Sequence, residues 1–373
     1  MRLRSTKRAA LYMPKTHPAL MRAEAFCAAY DLRLPILMAP MAGACPASLA
    51  IAIAGAGGLG AGGMLLTQPD AIRAWSADVR AKTNGGFQLN LWIPDPAPVR
   101  DTAHEARVRE FLGQWGPAVP AAAGDAALPD FAAQCEAMLE VGPAVVSSIM
   151  GLYPESFVAR MKAEGIRWFA NVTTVGEAKA AVAAGADAVV AQGMEAGGHR
   201  GAFDAAHAEA GLVGLFALLP AVVDAVGTEV PVIATGGIAD GRGIAAALVL
   251  GASAAQIGTG LLRTPEAGVA PVWADAIGTA QPEDTAVTRA FSGRPGRSIR
   301  TAYVAAANAP GAPHPAPYPV QRGLTQAMRE AANKTATIDG MQAWAGQAAR
   351  LATTEPAGVY VQRIWADAQN LLG

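Results

Sequence analysis

The sequence predicts an α/β protein: a (β/α)8 barrel of the TIM type, with an insertion after its third strand and a helical extension at its C-terminus. Three observations carry that expectation. Short apolar runs alternate with Ala-rich helical stretches, eight such runs occur before residue 260, and most of them read as continuous apolar stretches rather than alternating in polarity. Continuous apolar runs suit parallel strands covered on both faces, and strand–helix repetition is how such a sheet is built. Eight units fit a closed barrel better than an open doubly wound sheet of the flavodoxin type, which usually stops at about six strands.

In chain order, strands are expected over 35–39, 60–65, 86–91, 144–149, 167–172, 188–192, 231–235 and 254–258. Helices are expected over 46–54, 69–82, 131–140, 154–164, 175–184, 212–226 and 241–250. Two places break the rhythm. Residues 94–129, rich in Pro, Ala and charge, read as an extended, partly helical excursion over one face. From Pro282 the alternation stops, and PGAPHPAPYP fixes an extended connection within 294–319. Residues 325–373 return to a helical pattern that packs on the barrel exterior or covers its mouth. The expected organisation is a loose N-terminal arm over 1–30, the barrel over 31–281 and the extension over 282–373.

Composition excludes several classes. The 373 residues carry 29 Lys+Arg and 30 Asp+Glu, a formal charge of −1, which gives no electrostatic reason to expect nucleic acid or an anionic membrane. With 52% hydrophobic residues the chain can bury a large core, the reverse of a disordered composition. No charge occurs between Arg33 and Asp70, but Pro35, Pro40, Pro46 and several glycines break that stretch too often for a membrane span. The uncharged run 243–262 is divided in the same way. Cys27, Cys45 and Cys135 form no CxxC pair, and the five histidines show no metal-ligand spacing, so no disulfide framework and no metal are expected, and a reducing cytoplasm fits. Arg2, Arg4, Lys7 and Arg8 lack an apolar core before Pro14, unlike a secretory signal.

Barrel enzymes work at the carboxyl ends of their strands, so the turns there are the informative ones. Thr235-Gly236-Gly237-Ile238-Ala239-Asp240-Gly241 follows the seventh strand, and Gln256-Ile257-Gly258-Thr259-Gly260 ends the eighth. Backbone N–H groups at such glycines, and at the helix beyond, can approach an anion where barrels commonly hold a phosphate; alternatively the glycines only permit tight packing. After the sixth strand, Gln192-Gly193-Met194-Glu195-Ala196-Gly197-Gly198-His199-Arg200-Gly201 brings a carboxylate, an imidazole and a guanidinium into one loop. His199 could exchange a proton or face a developing anion, the alternative being a solvent-exposed loop histidine. Glu195 and Arg200 read as a surface ion pair or as loop anchors. Met41, between Pro40 and Gly43, is either a platform under a flat ligand or core filler. Asn90, in FQLNLW, needs partners for its amide, which a ring with alternating N and C=O groups or a neighbouring backbone could supply. Gly55-Ala56-Gly57-Gly58-Leu59-Gly60 matches GxGxxG but precedes a strand, the wrong context for a dinucleotide turn.

APMAG, GAGGLG, NLW, QGMEAGGHRG, TGGIADGRG and QIGTGLL, with FSGRPGRSIR, PYPVQ and WAGQAA in the tail, together resemble the nitronate monooxygenases, also called 2-nitropropane dioxygenases, from about Leu34 onward. The resemblance implies an FMN-dependent barrel that oxidises alkyl nitronates, or nitroalkanes, with dioxygen to a carbonyl compound and nitrite. It implies FMN contacts from Asn90, Gln192, Gly197, Gly237, Gln256, Ile257, Gly258 and Thr259, with Gly236, Gly237, Gly258 and Thr259 around the phosphate, Met41 beside the isoalloxazine and His199 as the catalytic residue. The expected partners are a small nitronate, dioxygen and, as a homodimer, a second copy of the chain. Ser147-Ser148-Ile149-Met150 departs from relatives with a polar strand-four motif, which points to a more apolar pocket wall. An FMN-dependent enoyl-acyl carrier protein reductase, an NAD(P)H:quinone reductase and a flavin-binding barrel without turnover are the competing readings.

Overall fold

The computed structural model describes residues 17–125 and 127–373. Its strands are β1 Ile36–Met38, β2 Gly60–Gly63, β3 Phe87–Trp92, β4 Val145–Ile149, β5 Arg167–Val172, β6 Ala188–Gln192, β7 Gly198–His199, β8 Val232–Thr235, β9 Ala254–Ile257, β10 Thr285–Thr288 and β11 Gly296–Ile299. Eight of them form one parallel sheet in the order β1-β9-β8-β6-β5-β4-β3-β2. Its two edges meet: Leu37 bridges Leu59, Leu59 N donates to Ile36 O (3.1 Å) and Met38 N donates to Leu59 O (2.9 Å). The sheet is therefore a closed barrel, and closure removes the exposed edges of an open sheet. Each of the eight expected runs supplies one of these strands.

The alternation within each strand sorts side chains between two cores. Leu37, Val145, Phe169, Val190 and Ile233 fill the barrel interior, while Met38, Val146, Trp168, Val189 and Val232 face the surrounding helices. The helix Pro18–Ala29 packs on the barrel, with Phe26 and Cys27 in the interior core and Ala19 and Ala23 in the outer one, a correction to the loose arm expected over 1–30. Phe26 is 3% exposed and, with Tyr30 edge-on, packs against Phe169 (ring centroids 6.4 and 5.0 Å), closing the barrel at its amino end. His17 caps this helix, its Nδ1 accepting from Ala19 N at 3.1 Å. Residues 1–16 of the expected arm lie outside the described residues.

The two non-barrel segments form one unit. The expected excursion after β3 contains the helix Thr102–Leu112, capped by the Asp101 carboxylate, which accepts from His104 N at 2.9 Å. Its Val108 and Leu112 pack with Phe291, Tyr303, Val320 and Leu324 of the C-terminal extension in a separate apolar cluster. The extension also does both things its pattern allowed. Helix Ala357–Leu372 packs on the outside, against helices Gly241–Val249 and Ala47–Ala56, with Tyr360 Oη donating to Ala239 O at 2.6 Å. The chain before it crosses the barrel mouth, where β11 pairs antiparallel with both β10 and β7. No helix among the described residues is long and apolar enough to cross a membrane.

Truncating the barrel's floor tests this arrangement. Phe26→Ala should destabilise the protein by about 3 kcal/mol, the cost of a large aromatic lost from a core that cannot collapse around the gap. Urea unfolding followed by far-UV circular dichroism reads the shift; an unchanged midpoint would mean the N-terminal helix does not seal the barrel.

Candidate active site

At the carboxyl ends of the barrel strands lies a cavity of about 380 Å³, walled by the turns after β1, β2, β6, β8 and β9 and roofed by the C-terminal extension. Met41, Asn90, Gln192, Gly197, His199, Gly236, Gly237, Gln256, Gly258 and Thr259 all line it. Ile257 does not. Strand alternation turns its side chain into the outer core, fully buried with Ile36 and Met38, and its carbonyl accepts from Ala39 N at 2.8 Å.

One end of the cavity is a cradle of backbone donors. Gly236 and Gly237 have φ of +108° and +71°, conformations that favour glycine, and they turn the chain sharply after β8. The N–H groups of Gly236, Gly237, Gly258 and Thr259 find no acceptor among the described residues. Four open backbone donors around one concavity are complementary to an anion. The helix Gly241–Val249 contributes less than its position suggested. Its own Asp240 carboxylate accepts from Gly243 N at 3.0 Å and so caps the helix itself. Met41 lies against this cradle, its sulfur 3.4 Å from where a Cβ on Gly258 would stand. On the opposite wall Asn90 Nδ2 donates to Ser147 Oγ at 3.0 Å, and Ser147, Ser148 and Ile149 line the cavity; Met150 is buried behind them.

The His199 loop is held from below and from above. Gln192 uses both ends of its amide on it: Nε2 donates to His199 O (3.1 Å) and Oε1 accepts from Gly201 N (2.8 Å). Glu195 and Arg200 are loop anchors, not a surface ion pair. Glu195 accepts from Leu215 N (2.9 Å) at the start of helix Leu215–Val226, and Arg200, 5% exposed, donates to Thr173 O (3.2 Å) and Gly211 O (2.9 Å). From above, β7 pairs with β11, putting Gly296 opposite His199. A Cβ on Gly197 would stand 2.4 Å from Gly346 N, so only glycine lets the WAGQ segment seat on the loop. There Gln347 N donates to Glu195 O at 2.9 Å, and Gly346 N donates to Thr259 Oγ1 at 2.9 Å.

His199 is thus a fixed, two-residue strand rather than an exposed loop. Its ring stands between Trp92 and Trp344, centroids 4.6 and 4.8 Å away, and Nε2 lies 2.7 Å from Ser292 Oγ. Ser292 Oγ also donates to Arg294 O (3.2 Å), which assigns the Nε2 proton to the His199–Ser292 bond. Nδ1 has no partner among the described residues and is not sealed from solvent. Burial, reinforced by the charges of Arg294 and Arg322, pushes the imidazole down to about 3, so it is neutral at ordinary pH. Arg294 itself is neutralised by Asp95, to which its Nε donates at 2.7 Å. No Asp or Glu lines the cavity among the described residues. Trp92, Trp344, Ser292 and Arg294 carried no assigned role in the sequence; NLW, FSGRPGRSIR and WAGQAA marked the segments but not which side chains meet His199.

Residues 26–367 match the family model described as nitronate monooxygenase. The nitronate monooxygenase of Paraburkholderia phytofirmans is 39% identical over 336 residues, 88% of this chain and 91% of that protein. The nitronate monooxygenase of Pseudomonas aeruginosa is 37% identical over 331 residues, 87% of this chain and 93% of that one. Among solved structures, nitroalkane oxidase from Streptomyces ansochromogenes superposes with a TM-score of 0.83 at 35% identity, covering 93% of this chain and all (100%) of that one. FabK from Thermotoga maritima superposes with a TM-score of 0.71 at 27% identity, covering 96% of this chain and 98% of that one.

The depressed imidazole makes a prediction about stability. Native His199 takes up its proton only near pH 3, whereas in the unfolded chain it does so near 6.5. Between those values the unfolded state binds the extra proton, so the contribution of His199 is fully present above about pH 6.5 and is lost as pH falls. From pH 7 to pH 5 that loss should be about 2 kcal/mol. Chemical denaturation of the native protein and of His199→Asn at both pH values should show the native protein losing that much more; parallel losses would mean that the folded imidazole titrates normally.

Proposed function

The chain belongs to the nitronate monooxygenase family, and from that membership we propose that its barrel mouth holds FMN and oxidises small alkyl nitronates with dioxygen to a carbonyl compound and nitrite. The observation that carries the reading is the polarity of the cavity: unpartnered backbone N–H groups at one end, a neutral imidazole between two indoles at the other, and no carboxylate among its described lining residues. The first feature fits a phosphate, the second an aromatic and anionic neighbour. Met41, Asn90 and Gln256 line the space between them, the stretch a planar heterocycle would occupy.

The residues fit the cofactor by that test. Gly236, Gly237, Gly258 and Thr259 would hold the phosphate through main-chain donors, Met41 would pack on the ring, and Asn90 and Gln256 would meet its polar edge. When bound, FMN supplies the electron acceptor for the nitronate and the donor for dioxygen. The remaining work falls to the chain. Trp92 and Trp344 flank the imidazole and cover its two sides, leaving Nδ1 open toward the cavity. Ser292 keeps the Nε2 proton in place, leaving the Nδ1 lone pair to accept the α-proton of a neutral nitroalkane or a hydrogen bond from a bound substrate. A base that resists protonation is poor at removing a carbon-bound proton unless the product anion stays beside it. A substrate that arrives already as the nitronate needs no such step, which favours the nitronate as the form turned over.

Two measurements test the reading. Flavin released from purified protein by heating should be FMN by chromatography. With His199→Asn, turnover of 2-nitropropane should fall about 100-fold or more, the usual worth of a general base, while turnover of propane-2-nitronate should fall less than about tenfold. Rapid anaerobic bleaching of the flavin by NADH, with none by the nitronate, would instead favour a reductase.

A further inference from the structure

We propose that Arg322 is the specificity-determining residue of this site, selecting the anionic nitronate over the neutral nitroalkane by taking the two nitrogen-bound oxygens on its guanidinium. The proposal rests on the reading that a nitronate enters the cavity.

Arg322 sits on the short helix Val320–Leu324, whose Val320 and Leu324 are packed against the post-β3 excursion, and its half-buried side chain lines the cavity roof. Three guanidinium groups approach this end of the site, and two are engaged. Arg294 is paired with Asp95. Arg329 donates to Arg322 O (2.9 Å), Thr325 Oγ1 (3.2 Å) and Gln342 Oε1 (3.3 Å). Among the described residues no carboxylate and no hydrogen-bond acceptor engages the guanidinium of Arg322, and its charge reaches His199. Four residues earlier, the Tyr318 hydroxyl is buried with no partner among the described residues, on a side chain only 7% exposed. An unpaired cation in a partly desolvated roof, beside an unpaired hydroxyl, is complementary to an anion that is not part of the protein.

The cofactor's phosphate is the wrong anion for it. The open N–H groups follow β8 and β9, whereas Tyr318 packs at a tilt against Trp92 of β3, centroids 5.1 Å apart. In the closed order of the barrel β3 lies four strands from β8 in either direction, so Arg322 stands across the mouth from the phosphate cradle. What remains within reach of both Arg322 and His199 is the substrate. A planar guanidinium fork matches the two oxygens of a nitronate in a bidentate pair, and the full negative charge on those oxygens is present only in the nitronate. A neutral nitroalkane offers the same atoms without the charge.

The test uses the flavin-loaded enzyme. R322Q should lower the ratio of kcat/KM for propane-2-nitronate to that for 2-nitropropane by about 30-fold or more, the lower end of what breaking a desolvated charge pair costs. R322K should recover part of the ratio. Isobutyrate, a planar carboxylate with the same branched skeleton, should compete with the nitronate in the native enzyme and lose that competition in R322Q. If neither variant folds, the native enzyme still decides: isobutyrate must inhibit far more tightly than isobutyramide, and equal inhibition overturns the proposal. A native enzyme that oxidises the nitronate while R322Q keeps its substrate ratio within threefold removes Arg322 from the role and leaves the function standing. A native protein that binds isobutyrate through Arg322, read by the flavin absorbance, but never oxidises the nitronate keeps the anion site and removes the function.

Discussion

The site depends on one backbone ladder, the antiparallel pairing of β7 with β11 over the barrel mouth. His199 lies only seven residues beyond the end of β6, in a segment with four glycines, and left alone such a segment would sample many conformations. The ladder removes that freedom by pairing His199 and Gly198 with Gly296 and Arg297, and Arg200 N continues it by donating to Pro295 O at 2.9 Å. Once β11 is in place, the residues just before it have nowhere else to go. Ser292 meets the imidazole, Arg294 reaches Asp95, and the excursion after β3 is tied to the roof. The glycines then have a second use: Gly197 lets the Gly346 backbone approach more closely than any side chain would permit.

The electrostatics follow from this cover. A barrel mouth open to water would leave the imidazole near its ordinary titration range, and the arginines around it would be screened. Covered by Trp92 and Trp344, the same groups act at lower dielectric, and the absence of carboxylates among the described lining residues leaves the field positive. Arginine is suited to this because it stays charged where burial would discharge a lysine. The pairing of Arg294 with Asp95 keeps one cation structural, while Arg329 is fixed by backbone and amide acceptors. The chain thus separates charge used to hold the roof from charge left facing the cavity.

The barrel and its floor were legible in the sequence to different degrees. The eight strands were readable because a closed parallel sheet demands continuous apolar runs, and the glycine turns after β8 and β9 because positive φ and close approach demand glycine. The helix Pro18–Ala29 was not: Phe26 and Tyr30 are too few in an Ala-rich segment to announce a core face, and only the position of Phe169 shows why they are needed. Ile257 was assigned to the site by its motif, whereas strand alternation sends it to the outer core. The roof was the least readable part. Ser292, Trp344 and Arg322 come from segments 90 or more residues after His199, with no periodicity that ties them to it, so motifs identified the segments and only the fold could identify the contacts.

That division has a physical reason. Local sequence rules report on backbone geometry and on burial within one element, and the barrel with its cradle of open backbone donors is built from such elements in register. The chemistry above the cradle depends on which side chains a long, irregular cover brings down onto His199, and a barrel by itself supports many chemistries. Changes in the cover would therefore alter what is oxidised while leaving the cradle intact. The guanidinium of Arg322, unpaired among the described residues, belongs to the cover and the open amides of Gly237 and Gly258 to the barrel, so the two anion-complementary ends of the cavity are controlled by different parts of the chain. Substitutions in 282–350 can retune the roof of the cavity without disturbing the glycine turns after β8 and β9, provided β11 still pairs with β7.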